Sequence, residues 1–491
     1  MNELTAFTEI VNVIGGKELP AAKGATLEKL NPHDGLLLFT VSRSDAQDVS
    51  LAISVARDAQ PAWAEVPAVK RGDILRRLAA ALLDHRDEVA RIVALETGKS
   101  LANALGEVEG AASLGFFYAG EGQRLYGKTT TSGTPNKWAL TVRQPVGVAG
   151  LIIAANTPIA NVAWKVFPAL ICGNAAVLKA AEDTPATALV FARIARAAGL
   201  PDGVLNVIQG LGVEAGASLV ADERVGVLSF TGSTAVGRLI AEVAGRRLTK
   251  ASLELGGKNP LVVCDDADLD NAAKWILLSA FSNAGQRCAA ASRIIIFESV
   301  YDALREKLIK GAEAQKVGPN DTDDFGPVIN ARQLQRMLDV VNRARSQGAT
   351  VLTGGNRLTG PDYAGGFYMA PTFLENIDPD GEFSTSELFG PVAGLYKVSG
   401  FQEALGLANR SPYGLTACIH TKNFDRAMEF SRLVESGVAV VNAGTYGSEP
   451  HMPFGGVKAS GNGSREPGTE ALDIYSNLKD IYMTTVPSST L

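Results

Sequence analysis

The chain has 491 residues, 46% hydrophobic and 20% charged, with a net charge of −6. This length exceeds one simple core and implies two to four domains. The charge leaves no basic footprint for nucleic acid, so a soluble enzyme acting on a small molecule fits better. Cys172, Cys264, Cys288 and Cys418 are scattered without a CxxC pair, which excludes a disulfide framework. His33, His85, His420 and His451 show no zinc-site spacing, so no metal is expected. Met1–Thr5 lacks the basic start of a signal peptide, and the longest apolar run, Val146–Ala155, is too short to span a bilayer. The expectation is a cytoplasmic protein with no membrane or nucleic-acid partner.

Residues 1–50 read as an irregular, stranded entry with a turn at Asn31–Gly35. Ala46–Ala59, Arg71–His85 and Arg86–Leu95 carry apolar residues at helical spacing. Gly127–Pro135 is rich in Thr, Ser, Gly and Pro and precedes the alternating run Trp138–Arg143, which predicts a hairpin arm. Such an arm exposes strand edges unless a partner subunit covers them.

From Val146 strands and helices alternate. Strands are predicted at Val146–Ala155, Ala175–Lys179, Leu205–Gln209 and Val225–Phe230. Helices are predicted at Ile159–Leu170, at Thr184–Ala198 with Asp183 or Thr184 as cap, and at Ala235–Ala244. This order implies a mostly parallel, Rossmann-like sheet. A second alternating region follows, with strands at Leu261–Val263 and Arg293–Phe297 and helices at Leu269–Ala284, Val300–Lys310, Gln333–Gln347 and Phe424–Val434. Asp480–Thr485 is a final strand that could pair with the arm.

Two segments carry the chemistry. Cys288 ends Asn283-Ala284-Gly285-Gln286-Arg287-Cys288, and Glu254 opens Glu254-Leu255-Gly256-Gly257-Lys258. A thiolate nucleophile and a carboxylate base are the parts needed to attack an aldehyde and then hydrolyse a thioester. At these residues the chain resembles the NAD(P)-dependent aldehyde dehydrogenase superfamily, from about Val55 to the C-terminal region. The resemblance implies an α/β fold: a Rossmann-like cofactor domain, an α/β catalytic domain and a β-hairpin oligomerisation arm. The expected division is residues 1–124 and 143–254 for NAD binding, 255–466 for catalysis, and 125–142 with 467–491 for the arm and C-terminal segment. A homodimer or homotetramer follows.

The same resemblance assigns the cofactor site. Phe230-Thr231-Gly232-Ser233-Thr234-Ala235-Val236-Gly237 lies between a strand and a helix, where free N–H groups and the helix dipole favour a pyrophosphate. It lacks the GxGxxG fingerprint, and a tight structural turn is the plain alternative. Phe230, Gly232, Ser233 and Gly237 fall there by resemblance, with Ile153, Gly212 and Leu255 nearby. Lys179-Ala180-Ala181-Glu182-Asp183-Thr184-Pro185 is similar to the family's Lys-Pro-x-Glu-x-Thr-Pro segment, with Ala180 replacing Pro. Lys179 and Glu182 would bind the adenosine ribose, and a carboxylate there repels a 2′-phosphate, so NAD is expected over NADP. Glu387-Leu388-Phe389-Gly390-Pro391-Val392 is similar to the segment that holds the nicotinamide half, with Glu387 on the ribose and Phe389 near the ring, unless Phe389 is a core aromatic.

By resemblance Cys288 attacks the aldehyde, and Asn156 with the Cys288 N–H stabilises the oxyanion. Ala154-Ala155-Asn156-Thr157-Pro158 departs from the common Pro-Trp-Asn-Phe-Pro form but keeps Asn and Pro. Asn156 could also be a turn residue. Glu254 activates water and implies release of a free acid. Lys165 and Glu466 match positions that relay protons, although a structural salt bridge would use the same residues. Asn161, Trp164, Arg287, His451 and Phe454 border the expected substrate site. Arg287 would suit a semialdehyde bearing an anionic group, or it could pair with an acidic neighbour. Three alternatives stay open: neutral aliphatic or aromatic aldehydes, a glyceraldehyde phosphate oxidised without phosphorylation, and a non-catalytic structural protein with the same fold.

Overall fold

The computed structural model describes residues 9–486. Met1–Thr5 and the end of the C-terminal segment lie outside the described residues. The first large sheet has the strand order Lys250–Glu254, Val225–Thr231, Val148–Ile152, Ala175–Lys179, Leu205–Ile208, Asn12–Ile14, Lys17–Leu19. Its first five strands pair in parallel. Ala175–Lys179 and Val148–Ile152 are buried along their whole length, as expected of strands covered on both faces. Alternate residues serve two cores. Ala149, Leu151, Ala176 and Leu178 pack with Val162, Val166 and Leu189, whereas Val148, Ile152, Ala175 and Val177 pack with Val49, Ile53 and Ala56.

The second large sheet runs Thr350–Thr353, Thr372–Glu375, Val392–Val398, Ala291–Phe297, Asn259–Val263, Thr416–His420, Val438–Val441. All its neighbours are parallel except the first pair. A third sheet joins the arm to the C-terminal strand. Lys137–Pro145 pairs with Thr129–Thr131 on one side and with Ser476–Thr484 on the other, from Ser476↔Pro145 to Thr484↔Lys137. The arm strand therefore extends beyond residue 142.

One local expectation is corrected, and one long helix is added. Thr184 stands at the N-cap of the helix Pro185–Ala197, but its side chain makes no capping bond. The buried Glu96 carboxylate takes that role, accepting from Ala186 N at 2.6 Å and Thr187 N at 3.0 Å. The 21-residue helix Leu101–Glu121 has no clear periodic signal in the sequence. Its glycines weaken the helical signal. At Gly115 a Cβ would sit 2.6 Å from the Phe167 ring and 2.7 Å from Ala79 Cβ, so the glycine permits close helix contact.

Candidate active site

The first sheet places its carboxyl ends along one edge. From the central strand Val148–Ile152 the chain winds outward to Ala175–Lys179 and Leu205–Ile208, then crosses to Val225–Thr231 and Lys250–Glu254 on the other side. The crevice where winding reverses is the usual ligand site of such a sheet. Thr231 pairs with Glu254 across two of these ends. Ser233 caps the helix Thr234–Arg247, accepting from Val236 N at 3.4 Å. A cavity of about 220 Å³ runs from this helix start to Cys288.

The cavity brings together Asn156, Asn161, Trp164, Gly232, Ser233, Glu254, Leu255, Cys288, Glu387, Phe389 and Phe454. A larger open hollow of about 800 Å³, bordered by Tyr301, Arg305 and Tyr396, contains none of the motif residues.

The nucleophile loop is bent sharply. Asn283, Ala284 and Gly285 have φ values of 55°, 53° and 65°, three consecutive left-handed residues. A Cβ on Gly285 would lie 2.1 Å from the Gly390 carbonyl, so the loop sits directly against the Glu387–Val392 segment. Phe389 is also left-handed at φ 60° and lines the cavity. Side chains fix this loop from three directions. Asn259 Nδ2 donates to the Cys288 carbonyl at 2.8 Å and to the Ala290 carbonyl at 2.9 Å. Thr445 Oγ1 donates to the Ala289 carbonyl at 2.6 Å, and Gln286 Oε1 accepts from Ile329 N at 2.9 Å.

Burial pushes the Cys288 thiol up to about 12, with the charges of Glu387 and Glu254 adding to the effect. Burial likewise raises Glu387 to about 7. Glu387 accepts from Gly257 N at 3.0 Å, and its own carbonyl accepts from Arg336 Nη2 at 2.8 Å. Glu254 is pushed well above the usual carboxylate range by burial and then by the charge of Glu466. Both Glu254 carboxylate oxygens lack a hydrogen-bond partner among the described residues. A buried carboxyl with unfilled lone pairs beside a cavity is poised to bind and deprotonate water.

Asn156 Nδ2 donates to the Gln286 carbonyl at 3.1 Å, and Asn156 Oδ1 accepts from Asn161 Nδ2 at 3.5 Å. An amide has two N–H donors, so one is left for an oxyanion. Lys165 and Glu466 form a fully buried ion pair at 2.9 Å and are not among the residues lining the cavity.

Other sequence-selected residues lie outside the lining. Ile153 is buried in the first core. Gly212 opens the π-helical turn Gly212–Gly216. Gly237 faces Leu255, and the Phe230 side chain is buried in the sheet core. Lys179 Nζ pairs with Glu182 Oε2 at 2.7 Å, at the carboxyl end of the next strand. Burial pushes the Glu182 carboxyl up, but the Lys179 ammonium outweighs it and holds the group below its usual range. The expected polar mouth is not assembled. The Arg287 guanidinium lies over the Tyr446 ring at 4.6 Å, and His451 is exposed beside Glu449. Stacking draws Arg287 away from the lining, while His451 stays hydrated. In place of that mouth, Trp164 and Phe454 meet edge to face with centroids 5.4 Å apart.

Gln333 and Arg336 line the cavity from the helix Ala331–Ser346 and were not singled out in the sequence. No motif marks them. Their i, i+3 spacing is the one available signal.

The match to known proteins decides the family: residues 20–481 fit the model described as the aldehyde dehydrogenase family. The chain belongs to the aldehyde dehydrogenase family. This aldehyde dehydrogenase is 35% identical over 486 residues to the alpha-ketoglutaric semialdehyde dehydrogenase of Bacillus subtilis, covering 98% of this chain and 100% of that one. A structure of betaine aldehyde dehydrogenase from Staphylococcus aureus in complex with NAD+ superposes with a TM-score of 0.96 at 32% identity, covering 99% and 97% of the two chains. An NADP-dependent enzyme of E. coli superposes at 0.93 with 35% identity, covering 97% and 98%. The aldehyde dehydrogenase is thus an oxidoreductase acting on aldehydes, with the α/β fold of that family. Among the described residues no helix is long and apolar enough to cross a membrane.

Proposed function

We propose that this aldehyde dehydrogenase uses NAD to oxidise an aldehyde to the free acid through a thioester on Cys288. The observation that carries the reading is Glu254, a buried carboxyl whose two oxygens are unpartnered beside the cavity that holds Cys288. Gly232 and Ser233 at the helix start, Glu387, and the Lys179–Glu182 pair are the residues to hold NAD, since they combine the N-terminus of the helix Thr234–Arg247 with carboxylates suited to ribose hydroxyls. NAD, when bound, supplies the hydride acceptor and the positive charge that the Cys288 thiolate otherwise lacks.

Cys288 Sγ bonds to the aldehyde carbon, and the developing oxyanion meets the free amide proton of Asn156 and the Cys288 main-chain N–H. Loss of hydride from that carbon leaves a thioester. Glu254 removes a proton from water as its oxygen attacks the acyl carbon, and the C–S bond breaks to return the Cys288 thiolate and a carboxylic acid. Trapping tests this sequence: mass spectrometry of Glu254→Gln after mixing with NAD and aldehyde should find Cys288 acylated.

For the substrate we favour an aldehyde with a distal anionic group. Arg287 Nε has no hydrogen-bond partner among the described residues, and its guanidinium, outside the cavity lining, stacks on Tyr446, which packs against the cluster of Ala289, Leu415 and Phe454; leaving that ring would bring it to an anionic group. The name of the Bacillus subtilis relative, a semialdehyde dehydrogenase, agrees with this. The aromatic wall of Trp164 and Phe454 favours a second reading, neutral aldehydes. Relative efficiencies with a semialdehyde and a neutral aldehyde of equal length separate the two.

The division into an NAD-binding unit, a catalytic unit and an arm follows the three main sheets. The arm sheet leaves Trp138, Leu478 and Tyr482 exposed, which suits docking on a second subunit in a dimer or tetramer. Light scattering of a stable monomer at micromolar concentration would contradict that assembly.

A further inference from the structure

The buried Glu466 carboxylate accepts from three side chains. Lys165 Nζ donates to Oε2 at 2.9 Å, the Tyr475 hydroxyl donates to Oε1 at 2.8 Å, and Ser229 Oγ donates to Oε1 at 2.9 Å and Oε2 at 3.2 Å. Lys165 Nζ also donates to Ser229 Oγ at 2.6 Å, so the four groups close into one network. Ser229 and Tyr475 have no part in the reaction described above.

Their placement follows from the fold. Ser229 pairs with Ser252, two residues before Thr231 pairs with Glu254. Side chains alternate along a strand, so Ser229 and Glu254 share one face of the sheet. Lys165 reaches that face from the helix Pro158–Ile171, one turn beyond Asn161. Tyr475 closes the network from the C-terminal segment. Its carbonyl accepts from Asn174 Nδ2 at 2.8 Å, and the residue after it begins the strand that pairs with the arm. The phenol is therefore presented from a fixed backbone. The groups acting on the Glu254 carboxyl are Glu466, Lys165 and Arg465, with burial the largest influence and Glu466 next.

We infer that Ser229 and Tyr475 are positioning residues for thioester hydrolysis: their hydroxyls hold Glu466 against Lys165 in one orientation, so that a fixed charge pair faces Glu254. A carboxylate tied by three donors cannot turn away, and its negative charge keeps Glu254 a strong base toward water. Without one hydroxyl, Glu466 keeps only two donors and its orientation is less fixed, so Glu254 loses basic strength. Bond making to Cys288 and hydride loss do not use this network, so they should be spared. The inference rests on Glu254 acting as the hydrolytic base.

The test uses Tyr475→Phe and Ser229→Ala in the full chain, with rapid mixing of enzyme, NAD and aldehyde. NADH absorbance reads the burst, and quenched mass spectrometry reads the acyl group on Cys288. Both variants should keep the burst rate within about twofold, while decay of the acyl group slows about five- to thirtyfold, the scale of one buried hydrogen bond. Hydroxylamine, a stronger nucleophile that needs less help from a base, should release the acyl group from wild type and variants at equal rates. Tyr118→Phe is the control. Its buried hydroxyl donates to the Gly468 carbonyl and not to Glu466, so acyl decay should keep its wild-type rate. The inference is overturned if acyl decay is unchanged in both variants, or if burst and decay slow together. Absence of any acyl group on Cys288 of Glu254→Gln under the same mixing would instead overturn the hydrolytic reading beneath it.

Discussion

Lys99 holds Asn156 from behind: its ammonium donates to the Asn156 carbonyl at 2.7 Å and pairs with Glu107 at 2.5 Å, all away from solvent. Glu107 in turn accepts from Ile159 N at 3.0 Å and Ala160 N at 3.3 Å, at the start of the helix Pro158–Ile171. The pair thus ties the proposed oxyanion amide to a helix N-terminus, and a preorganised donor acts without reorganising in the reaction.

Lys99→Met should therefore slow the hydride burst about ten- to hundredfold, somewhat less than outright loss of an oxyanion donor. It should also destabilise the fold, because Glu107 is left buried and unpaired, at a cost of about 3–5 kcal/mol. Glu107→Gln on the Lys99→Met background removes that charge and should recover stability without recovering the burst. Stopped-flow absorbance with thermal unfolding separates the two effects. An unchanged burst in a folded Lys99→Met protein would remove Lys99 from the account.

Much of the site was legible because its signals are local. Cys288, Glu254, Glu387 and Phe389 stand in short segments whose glycines and turns are themselves part of the geometry, and the structure places all four on one cavity. Strands such as Ala175–Lys179 were legible because they are continuously apolar. What could not be read is support that arrives from far along the chain. Lys99 and Ser229 lie 57 and 237 positions from the residues they hold, and nothing in their own neighbourhoods marks them; Tyr475 is only 9 positions from Glu466, but no motif marks it either. Arg287 shows the converse. Adjacency to Cys288 in the sequence did not bring its side chain to the lining; the guanidinium stacks on the Tyr446 ring instead.

The Cys288 thiol, pushed up to about 12, should react slowly with iodoacetamide near neutral pH in the absence of NAD. Only the thiolate reacts, so the rate should climb about tenfold per pH unit from 7 to 9. Adding NAD at fixed pH should accelerate it. Peptide mapping of alkylated Cys288 gives the rates. A plateau beginning near pH 7 without NAD would mean the thiolate is stabilised in a way these contacts do not explain.

Glu182 should govern the choice between cofactors. A carboxylate about 4 Å from a 2′-phosphate costs roughly 1–4 kcal/mol between aqueous and near-surface screening. Glu182→Gln should therefore move the ratio of kcat/KM for NADP over NAD upward by about tenfold or more, mainly through KM for NADP. Equal change with both cofactors would mean that Glu182 only braces Lys179.

Arg287→Ala should lower kcat/KM for an aldehyde with a distal carboxylate by about tenfold to a hundredfold, the worth of one charge-assisted contact. Neutral aldehydes of the same length should be spared. Equal losses for both would make the stack on Tyr446 a brace for the nucleophile loop and nothing more.

The most direct measurement of the central claim is the Glu254→Gln enzyme mixed with NAD and aldehyde, followed by NADH absorbance and by the mass of the Cys288 peptide. Retained burst of NADH, arrested turnover and a stoichiometric acyl group on Cys288 are the expected result. Turnover at the wild-type rate, or a lost burst with unmodified Cys288, would contradict the assignment of Glu254 as the base that hydrolyses the thioester.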